Sequence, residues 1–528
     1  MNFLKRCWQK RWIRGLAWTM VTLVTLYVLL CTWLNWTWTR KWTATVAMLK
    51  AEGETLDFRA TMNDPVPEAD NFCAIPLLKD IALAVDNDST KGEAAEKRKR
   101  LDALKLPDGK KGVERPRLSL HAVGEPTDLK AWADWMRKEG SVTVPADSGN
   151  AARDVLAALS KHDSVVQELA AGLSRPKAQW TPEWKTRELP EMLFAIALPH
   201  YQNVRNLNQT LALRATAAAR AGETAKAHET ARIMARLTQA DLNDPFLIGL
   251  LVASSDATAL CGSTWELCDA QAGTVEDFAR LETALSALDF HQASLRACRS
   301  ELAAAVDTLQ FIRRHPSSGP GLFQMIEISG QPNSNALGRA AARAIPLGYF
   351  DASAAVLAEG EFKYLVKPLR DHGWQEARQA SRDWERELAD MKSKIWTHPT
   401  YIMVALIAPA VNTIVHKIAY TQGVVNQAII ACALERYRIE KGTYPDSLAA
   451  VKLADGKPLP LDVMNDKVMG YRKTTDGKYA LWSVGFDGKD DGGKRVLDDK
   501  KPENTKFSDT KYVGDWVWDY SGNRGSGK

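Results

Sequence analysis

A charge-free apolar stretch near the N-terminus limits the structures available to this chain. No charged side chain occurs from Gly15 to Thr39, and the stretch consists mainly of leucine, valine, threonine and aromatic residues. At about 1.5 Å of helical rise per residue, roughly 20 such residues cross a hydrocarbon core of about 30 Å. Tryptophans occur at both ends of the stretch, as in the aromatic belts of membrane helices. The sequence therefore predicts a single transmembrane anchor over residues 15–39.

The basic residues around the anchor predict its orientation. Five precede it and three closely follow it: Lys5, Arg6, Lys10, Arg11 and Arg14, then Arg40, Lys41 and Lys50. The positive-inside rule places residues 1–14 in the cytosol and everything after Thr39 outside. A cleaved signal peptide is the alternative, but the apolar stretch exceeds a signal core of roughly 7–15 residues, and a tryptophan-rich segment follows it. We expect an uncleaved anchor in a bacterial inner membrane, with the bulk of the chain in the periplasm.

Length and charge restrict the remaining classes. The chain has 528 residues, enough for two to four domains, and its net charge of +5 with 25% charged residues gives no argument for nucleic-acid binding. After the anchor we expect a juxtamembrane and polar linker region over 40–117. An α-helical domain over 118–399 and a long helix with an α+β module over 400–528 would follow.

The central region has predominantly helical periodicity. Leu207 to Leu242 is alanine-rich with a single glycine, Gly222, which predicts an antiparallel helical hairpin. Its turn, ARAGETAKA, is similar to that of a tetratricopeptide repeat, but no second copy follows at a spacing near 34 residues. Further helices are predicted over 129–136, 154–173, 246–259, 275–290, 294–313, 335–359 and 374–394.

A second apolar segment, YIMVALIAPAVNTIV at 401–415, is too short for a span. Its apolar core of about 14 residues contains Pro409 and Asn412, whereas a span needs roughly 17–25 residues. We expect a buried or interfacial helix there. A true span is the alternative, and it would return the tail to the cytosol.

Cysteines outside the membrane would lie in an oxidising compartment. Cys261 and Cys268 occur in CGSTWELC, which contains Gly and Ser and is predicted as a loop between helices. A local disulfide between them is the best pairing, and two free buried thiols are the alternative. A zinc site with His291 and Cys298 is disfavoured because the C-x6-C spacing is wider than a usual zinc knuckle.

The sequence contains none of the catalytic motifs that would identify a reaction. There is no HExxH, no G-x-S-x-G, no Walker A loop followed by a helix and no Cys-x-x-Cys. The histidines are scattered singly and are predicted to be packed or solvated. No catalytic residue is therefore assigned, and an enzyme with a site in the helical domain stays the alternative function.

The last 100 residues have the most specific pattern. An amphipathic helix is predicted to end at Gly442, in ALERYRIEKGTYPDSL. Two alternating segments around Asp476-Gly477 then predict a β-hairpin with a type I′ turn. Alternating residues in DWVWDY predict a third strand.

This order of motifs resembles the C-terminal half of the major pseudopilin of type II secretion. In that family a long helix ends in ALE-x-Y and G-x-YP, a small antiparallel sheet packs on it, and an S-x-G-x-DG loop helps to bind calcium. The match covers about 90 residues, and the family's prepilin N-terminus is missing because the anchor lies about 390 residues upstream. The resemblance therefore implies a folding module similar to a pseudopilin, and not a pilus subunit.

The resemblance also implies a calcium site. Asp487 matches the aspartate of the family's DG pair, and Asp515 matches a late aspartate before the last strand. Further carboxylates would help to supply the 6–8 oxygens that calcium takes. A solvated acidic loop is the alternative, since Lys489, Lys494 and Arg495 reduce the negative charge. The predicted ligands are Asp487, Asp490, Asp491, Asp498 and Asp515.

Together these patterns predict a mainly α protein with one N-terminal transmembrane helix. A large helical extracytoplasmic domain and a small α+β module, a helix with an antiparallel sheet, would complete it. The expected function is that of a structural or docking protein of the cell envelope, non-enzymatic in this reading. Its expected partners are the lipid bilayer and, by resemblance only, envelope or secretion proteins.

Overall fold

The computed structural model is mainly helical, with 67% helix and 4% strand. It describes residues 11–82, 104–106, 115–118, 121–139, 144, 148–180, 199–315, 345–408, 411–497, 505–509 and 511–520. Residues 316–344, which include the start of the helix predicted over 335–359, and most of 83–117 in the predicted polar linker lie outside these residues.

The predicted anchor is one part of a longer helix, α1 (Arg11–Ala51). Large apolar side chains along it are exposed from Trp12 at 67% to Trp36 at 61%, whereas Leu49 is fully buried. Within the described residues, α1 and Leu247–Asp269 are long and apolar enough to cross a bilayer, but 67% of the apolar window of the second helix is buried in the protein. Leu247–Asp269 is therefore a core helix, whereas the apolar window of α1 is not buried in the protein.

The segment after α1 wraps the helical domain, as its apolar residues predict. Short 3-10 turns lie at Phe58–Thr61, Glu68–Asp70 and Phe72–Ala74. Phe72, Leu77 and Leu78 are fully buried. The backbone N–H of Phe72 donates to the carbonyl of Lys177 at 2.7 Å, which fixes the segment to the domain.

The helical domain is built from packed helix pairs. The predicted hairpin is confirmed, and its turn contains Gly222 at φ +81°, a left-handed conformation that glycine adopts without strain. The helices are α2 (Pro76–Ala82), α3 (Leu129–Glu139), α4 (Ala151–Ala158), α5 (Asp163–Gly172), α6 (Pro199–Ala221), α7 (Thr224–Leu242), α8 (Leu247–Asp269), α9 (Val275–Ser286) and α10 (Phe290–Arg314).

A second group of helices lies beside α1. Helix α11 (Gly348–Glu361) continues through a π-helical turn (Phe362–Val366) into α12 (Lys367–Asp371). Helices α13 (Trp374–Ser393) and α14 (Tyr401–Ile407) follow. The segment predicted as a single buried or interfacial helix over 401–415 is divided between α14 and the start of α15 (Val411–Lys441).

The tail is a three-stranded antiparallel sheet that packs on α15. Its strands are β1 (Gly470–Lys473), β2 (Tyr479–Ser483) and β3 (Trp516–Asp519), in the order β1-β2-β3. Trp518 and Leu481 are fully buried partners across β2 and β3. The predicted helix, hairpin and third strand are present.

The predicted turn type of the hairpin is wrong. A type I′ turn needs positive φ at both central residues, but Gly477 at φ +78° has this conformation and Asp476 does not. The N–H of Thr474 donates to the carbonyl of Lys478 at 3.0 Å, which closes a three-residue loop. One left-handed glycine is enough for a loop of this length.

A continuous core joins the tail to the helical domain. One buried apolar cluster runs from Leu49 through the domain to Trp518. The indole N–H of Trp265 in α8 donates to the carbonyl of Asp519 at 2.9 Å. Arg436 of α15 bonds to Glu282 of α9 at 3.0 Å. The tail therefore packs as part of the protein's main core.

Candidate functional site

A cleft of about 350 Å³ lies where the chain leaves α1. One wall is the backbone turn Gly53–Thr55 with Ala60 and Thr61, and the other is a face of α10. Helical periodicity brings Gln292, Arg296 and Arg299 to that face, since residues three and four apart share one side of a helix. Two arginines in a concave surface identify this cleft as a candidate site for a ligand.

The arginines of the cleft already have partners in the fold. Arg299 forms a two-point ion pair with Glu54, with Nε–Oε2 at 2.7 Å and Nη2–Oε1 at 2.8 Å. Arg370 adds a third bond to Glu54 at 3.1 Å. Arg296 donates to the carbonyl of Leu242 at 3.0 Å. Arg299 thus joins the two cleft walls through Glu54, whereas Arg296 forms no ion pair with a described residue and its Nε has no hydrogen-bond partner among them.

A buried His–Asp–Tyr cluster lies near the cleft. His200 Nε2 is 3.0 Å from Asp244 Oδ2, and the Tyr201 hydroxyl donates to the same oxygen at 3.0 Å. Burial, with the charge of Asp244 as the next cause, raises the pKa of Tyr201 well above its ordinary value. The three residues are between 3% and 6% exposed and are not among the residues that line the cleft. They join the start of α6 to the end of α7.

Two further carboxyl groups lie in the interior nearby. Burial raises the pKa of Asp256 to about 7 and raises that of Asp241 well above its ordinary value, with the charge of Asp256 as a second cause for Asp241. The indole N–H of Trp180 donates to Asp241 Oδ1 at 2.8 Å. The Oδ2 atoms of both aspartates have no hydrogen-bond partner in the described part of the chain. Each group is therefore held mainly in its neutral form at low pH.

A second interior pair occurs between α10 and α11. Burial, with the charge of Glu301 as the second cause, raises the pKa of Glu361 to about 8. Glu301 accepts a hydrogen bond from the N–H of Leu247 at 3.2 Å. Perturbed carboxyl groups such as these mark functional sites in many proteins, but they also occur in structural networks. Full burial away from the cleft supports the structural role.

The acidic loop of the tail is organised by backbone hydrogen bonds. Asp515 accepts N–H bonds from Gly493 at 2.7 Å, from Lys494 at 3.3 Å and from Asp491 at 3.4 Å. Asp490 accepts from the indole of Trp482 at 2.8 Å. Burial raises the pKa of Asp515, against the three N–H groups, which lower it. Asp515 thus closes the loop from within.

The described carboxylates do not form the arrangement that calcium requires. Across the residues with described positions, no three Asp, Glu, His or Cys side chains come together as a metal-binding group. Asp487 accepts from the N–H of Lys489 at 3.2 Å, and the oxygens of Asp515 face N–H donors. Asp498, a predicted ligand, lies outside the described residues. Calcium binding stays a prediction from the resemblance.

The predicted disulfide loop is wrong, because CGSTWELC lies inside α8. Cys261 and Cys268 are buried free thiols. Residues seven apart on an α-helix are separated by about 10 Å along its axis, beyond the roughly 7 Å that a disulfide spans between Cα atoms. The two cysteines therefore cannot pair while α8 is intact.

Sequence reasoning missed the interior carboxyl groups. Asp256 is the one charged residue between Leu247 and Leu260, so an isolated acid in an apolar helix was the available signal. Asp241 and Asp244 occur in DLNDP at a helix end, where acids are common at the surface. Only the packing of α6 on α7 and α8 buries them.

Comparison with protein-family models gives no match to this chain. Comparisons with curated proteins and with solved structures also return no similar protein. The similarity of the tail to pseudopilins therefore stays a prediction.

Proposed function

We propose that this protein is a membrane-anchored structural and docking protein of the bacterial cell envelope. In this proposal α1 crosses the inner membrane with its N-terminus in the cytosol, and the helical domain and tail lie in the periplasm. The tail, as a pseudopilin-like module, presents a docking surface to envelope or secretion proteins. The observation that carries the proposal is the rigid joint between the anchor and the domain.

The joint begins within the apolar part of the anchor. The N–H of Gly348 donates to Asn35 Oδ1 at 2.7 Å, and a Cβ on Gly348 would lie 2.8 Å from the Cα of Asn35. Glycine thus allows α11 to approach α1 closely. The Thr39 hydroxyl donates to Asp351 Oδ2 at 2.7 Å, four residues further along α1.

The joint ends in a charged clamp beyond the anchor. Glu52 pairs with Lys367 at 3.3 Å and with Arg370 at 2.9 Å, and these partners lower the pKa of Glu52. Glu54, whose side chain is 2% exposed, pairs with Arg299 and Arg370. Contacts at both ends of a 20-residue stretch leave no flexible linker between anchor and domain.

Rigidity at both ends favours a mechanical role. The tail is fixed to the domain through α15, a helix of 31 residues or about 46 Å, and the domain is fixed to the anchor. A protein built this way holds its tail at a set height above the membrane. An enzyme tethered to a membrane has no comparable need for a rigid arm.

Crosslinking in native membranes tests the docking role. A photo-crosslinking residue replaces Val468 or Val513, two tail side chains that are 66% and 55% exposed. We expect a defined protein adduct, identified by mass spectrometry, whereas the same residue at exposed Glu276 of α9 serves as the control. Equal, diffuse labelling from all three positions would contradict the proposal.

The topology has its own test. Alkaline phosphatase, which is active only in the periplasm, is fused after Lys528. We expect activity close to that of a periplasmic standard, because a single span leaves the tail outside. An inactive fusion that is present in the membrane fraction would contradict the proposed topology.

An enzyme is the second candidate function, because of the cluster of His200, Tyr201 and Asp244 near the arginine-lined cleft. His200, held by Asp244 at 3.0 Å, is the candidate base, and it would have to reach a proton of a substrate in the cleft. The test is incubation of the purified protein with pooled cell metabolites, followed by mass spectrometry. Depletion of one compound by the wild type and not by His200→Gln would favour the enzyme.

A further inference from the structure

The end of the helical domain nearest the anchor's apolar part is formed by several elements. Contacts between α1 and α11 advance in the same direction along both helices, from Asn35–Gly348 to Thr45–Glu359. The two helices are therefore parallel, and the N-terminus of α11 lies on the side of the anchor. Residues that precede Gly348 lie on that side too.

Helix α13 brings a second segment to the same place. The chain reverses at Gly373, between α12 and α13, and the ring of Trp384 fills the space beside Gly360, so α13 runs back along α11 toward the start of α11. The Tyr349 hydroxyl donates to the carbonyl of Pro399 at 2.9 Å. The connection between α13 and α14 is thereby fixed next to the anchor.

The anchor itself contacts this region through aromatic rings. The rings of Trp38 and Tyr349 are 6.5 Å apart, edge to face. Ser353 donates to the carbonyl of Thr400 at 3.1 Å, one turn further along α11. A residue three positions from Pro399 lies within about 10 Å of it along the chain. Trp396 is therefore close to the point where the anchor leaves the domain.

Four apolar side chains on this end of the domain are exposed. Trp396 is 92% exposed, which is unusual for a large aromatic side chain on a surface that only water contacts. The other three side chains are 39% to 42% exposed. We name the four residues the interfacial collar: Ile345, Leu347, Trp396 and Ile402.

The depth of the anchor places the collar at the membrane surface. From Gly15 the helix rises about 30 Å to Asn35, which is the thickness of a hydrocarbon core. The first charge after this is Arg40. Because Gly348 touches Asn35, the adjoining end of the domain lies at the boundary of hydrocarbon and headgroups, where indole rings partition favourably.

We propose that the interfacial collar inserts into the outer leaflet beside the anchor and binds the lipid surface. This inference rests on the proposed role of α1 as the membrane anchor. Lipid is the occupant because the collar is continuous with the exposed apolar surface of α1. A second contact with the bilayer fixes the tilt of the domain, which a single helix free to rotate in the bilayer would not do.

The test uses the full-length protein in liposomes that contain a phospholipid with a diazirine on its acyl chain. Light-induced adducts are located by mass spectrometry. We expect adducts on residues 16–34 of α1 and on the interfacial collar. Adducts on α1 without any on the collar would overturn the collar proposal alone, and their absence from both would overturn the anchoring proposal as well.

A matched pair of variants makes the result specific. Trp396→Glu should lower the adduct yield on the other collar residues severalfold and leave the yield on α1 unchanged, because a carboxylate resists transfer into the interface. Val468→Glu changes a similarly exposed apolar residue of the tail and should have no effect. Equal yields from the two variants would contradict the proposal.

Discussion

Two sets of buried carboxylates differ in where they lie and in how their charge is balanced. Glu54, Glu266 and Glu282 lie at contacts between distant parts of the chain, and each pairs with an arginine. Asp256 and Glu361 lie inside the helical domain and form no ion pair with any described residue. Burial raises the pKa of Asp256 to about 7 and that of Glu361 to about 8.

The difference in pairing indicates different roles for the two sets of buried carboxylates. A charged pair across two elements is directional, so it specifies how the two elements that it joins fit together. An unpaired interior acid avoids the cost of a buried charge by keeping its proton. The first set should therefore control the joints at all ordinary pH values, and the second should make stability depend on pH.

The largest effect is expected at the anchor joint. Replacement of both Arg299 and Arg370 by methionine leaves the buried carboxylate of Glu54 without a cation. We expect a loss of about 3–5 kcal/mol in the free energy of unfolding, measured by urea titration in detergent with circular dichroism.

The control for the joint is an exposed pair. Arg280→Met removes the partner of Glu276, whose side chain is 72% exposed, and should cost less than about 0.5 kcal/mol. If the double variant lost no more than this control, the ion-paired joint would not be what holds the domain on its anchor.

The second prediction concerns Asp256. Because its folded pKa lies above that of the unfolded chain, its contribution to stability is complete below about pH 4 and is lost as the pH rises to about 7. Asp256→Asn removes this loss. Relative to wild type, the variant should therefore gain about 3 kcal/mol between pH 5 and pH 8.

Thermal and urea unfolding at the two pH values measure this gain. Glu361→Gln is the parallel variant and should gain stability in the same direction, up to about pH 8. If the wild type and the variant differed in stability by the same amount at both pH values, the interior carboxyl groups would not be protonated in the folded protein.

Sequence patterns predicted the elements better than the contacts between them. The charge-free run, the glycine at the hairpin turn and the alternation in DWVWDY each act locally, and each element is present. The burial of Asp256 depends on helices that are distant in sequence, so the local signal, a single acid in an apolar helix, does not establish it. CGSTWELC was predicted as a loop because Gly and Ser are common in loops, but packing on α6, α7 and α15 stabilises it as helix.

A third, smaller effect is expected at the tail loop, where backbone N–H groups replace arginine as the partners of a buried carboxylate. Asp515→Asn puts an amide donor against these N–H groups and should cost about 1–2 kcal/mol of stability in chelator. If the loop binds calcium, as the resemblance implies, a further difference in stability between the wild type and the variant would appear when calcium is present.

Calorimetry of the full-length wild type and variant, with calcium and with chelator, measures both effects. Asp509→Asn changes a carboxylate that accepts a bond from Lys511 at 2.9 Å on the surface, and it serves as the control. An Asp515 variant as stable as this control in chelator would contradict the role of Asp515 in closing the loop.

The smallest effect is expected for the buried thiols of Cys261 and Cys268. They extend the comparison of paired and unpaired buried groups. Burial raises the pKa of Cys261 and of Cys268 above their ordinary value, so both stay protonated and unreactive within α8. We expect no change in melting temperature with reductant, and slow alkylation of both residues until the protein unfolds. Intact mass after alkylation in denaturant measures the thiols. Two alkyl groups fewer than the number of cysteines, restored when reductant is added before alkylation and mapped to Cys261 and Cys268, would contradict the prediction, because a disulfide between them requires α8 to break.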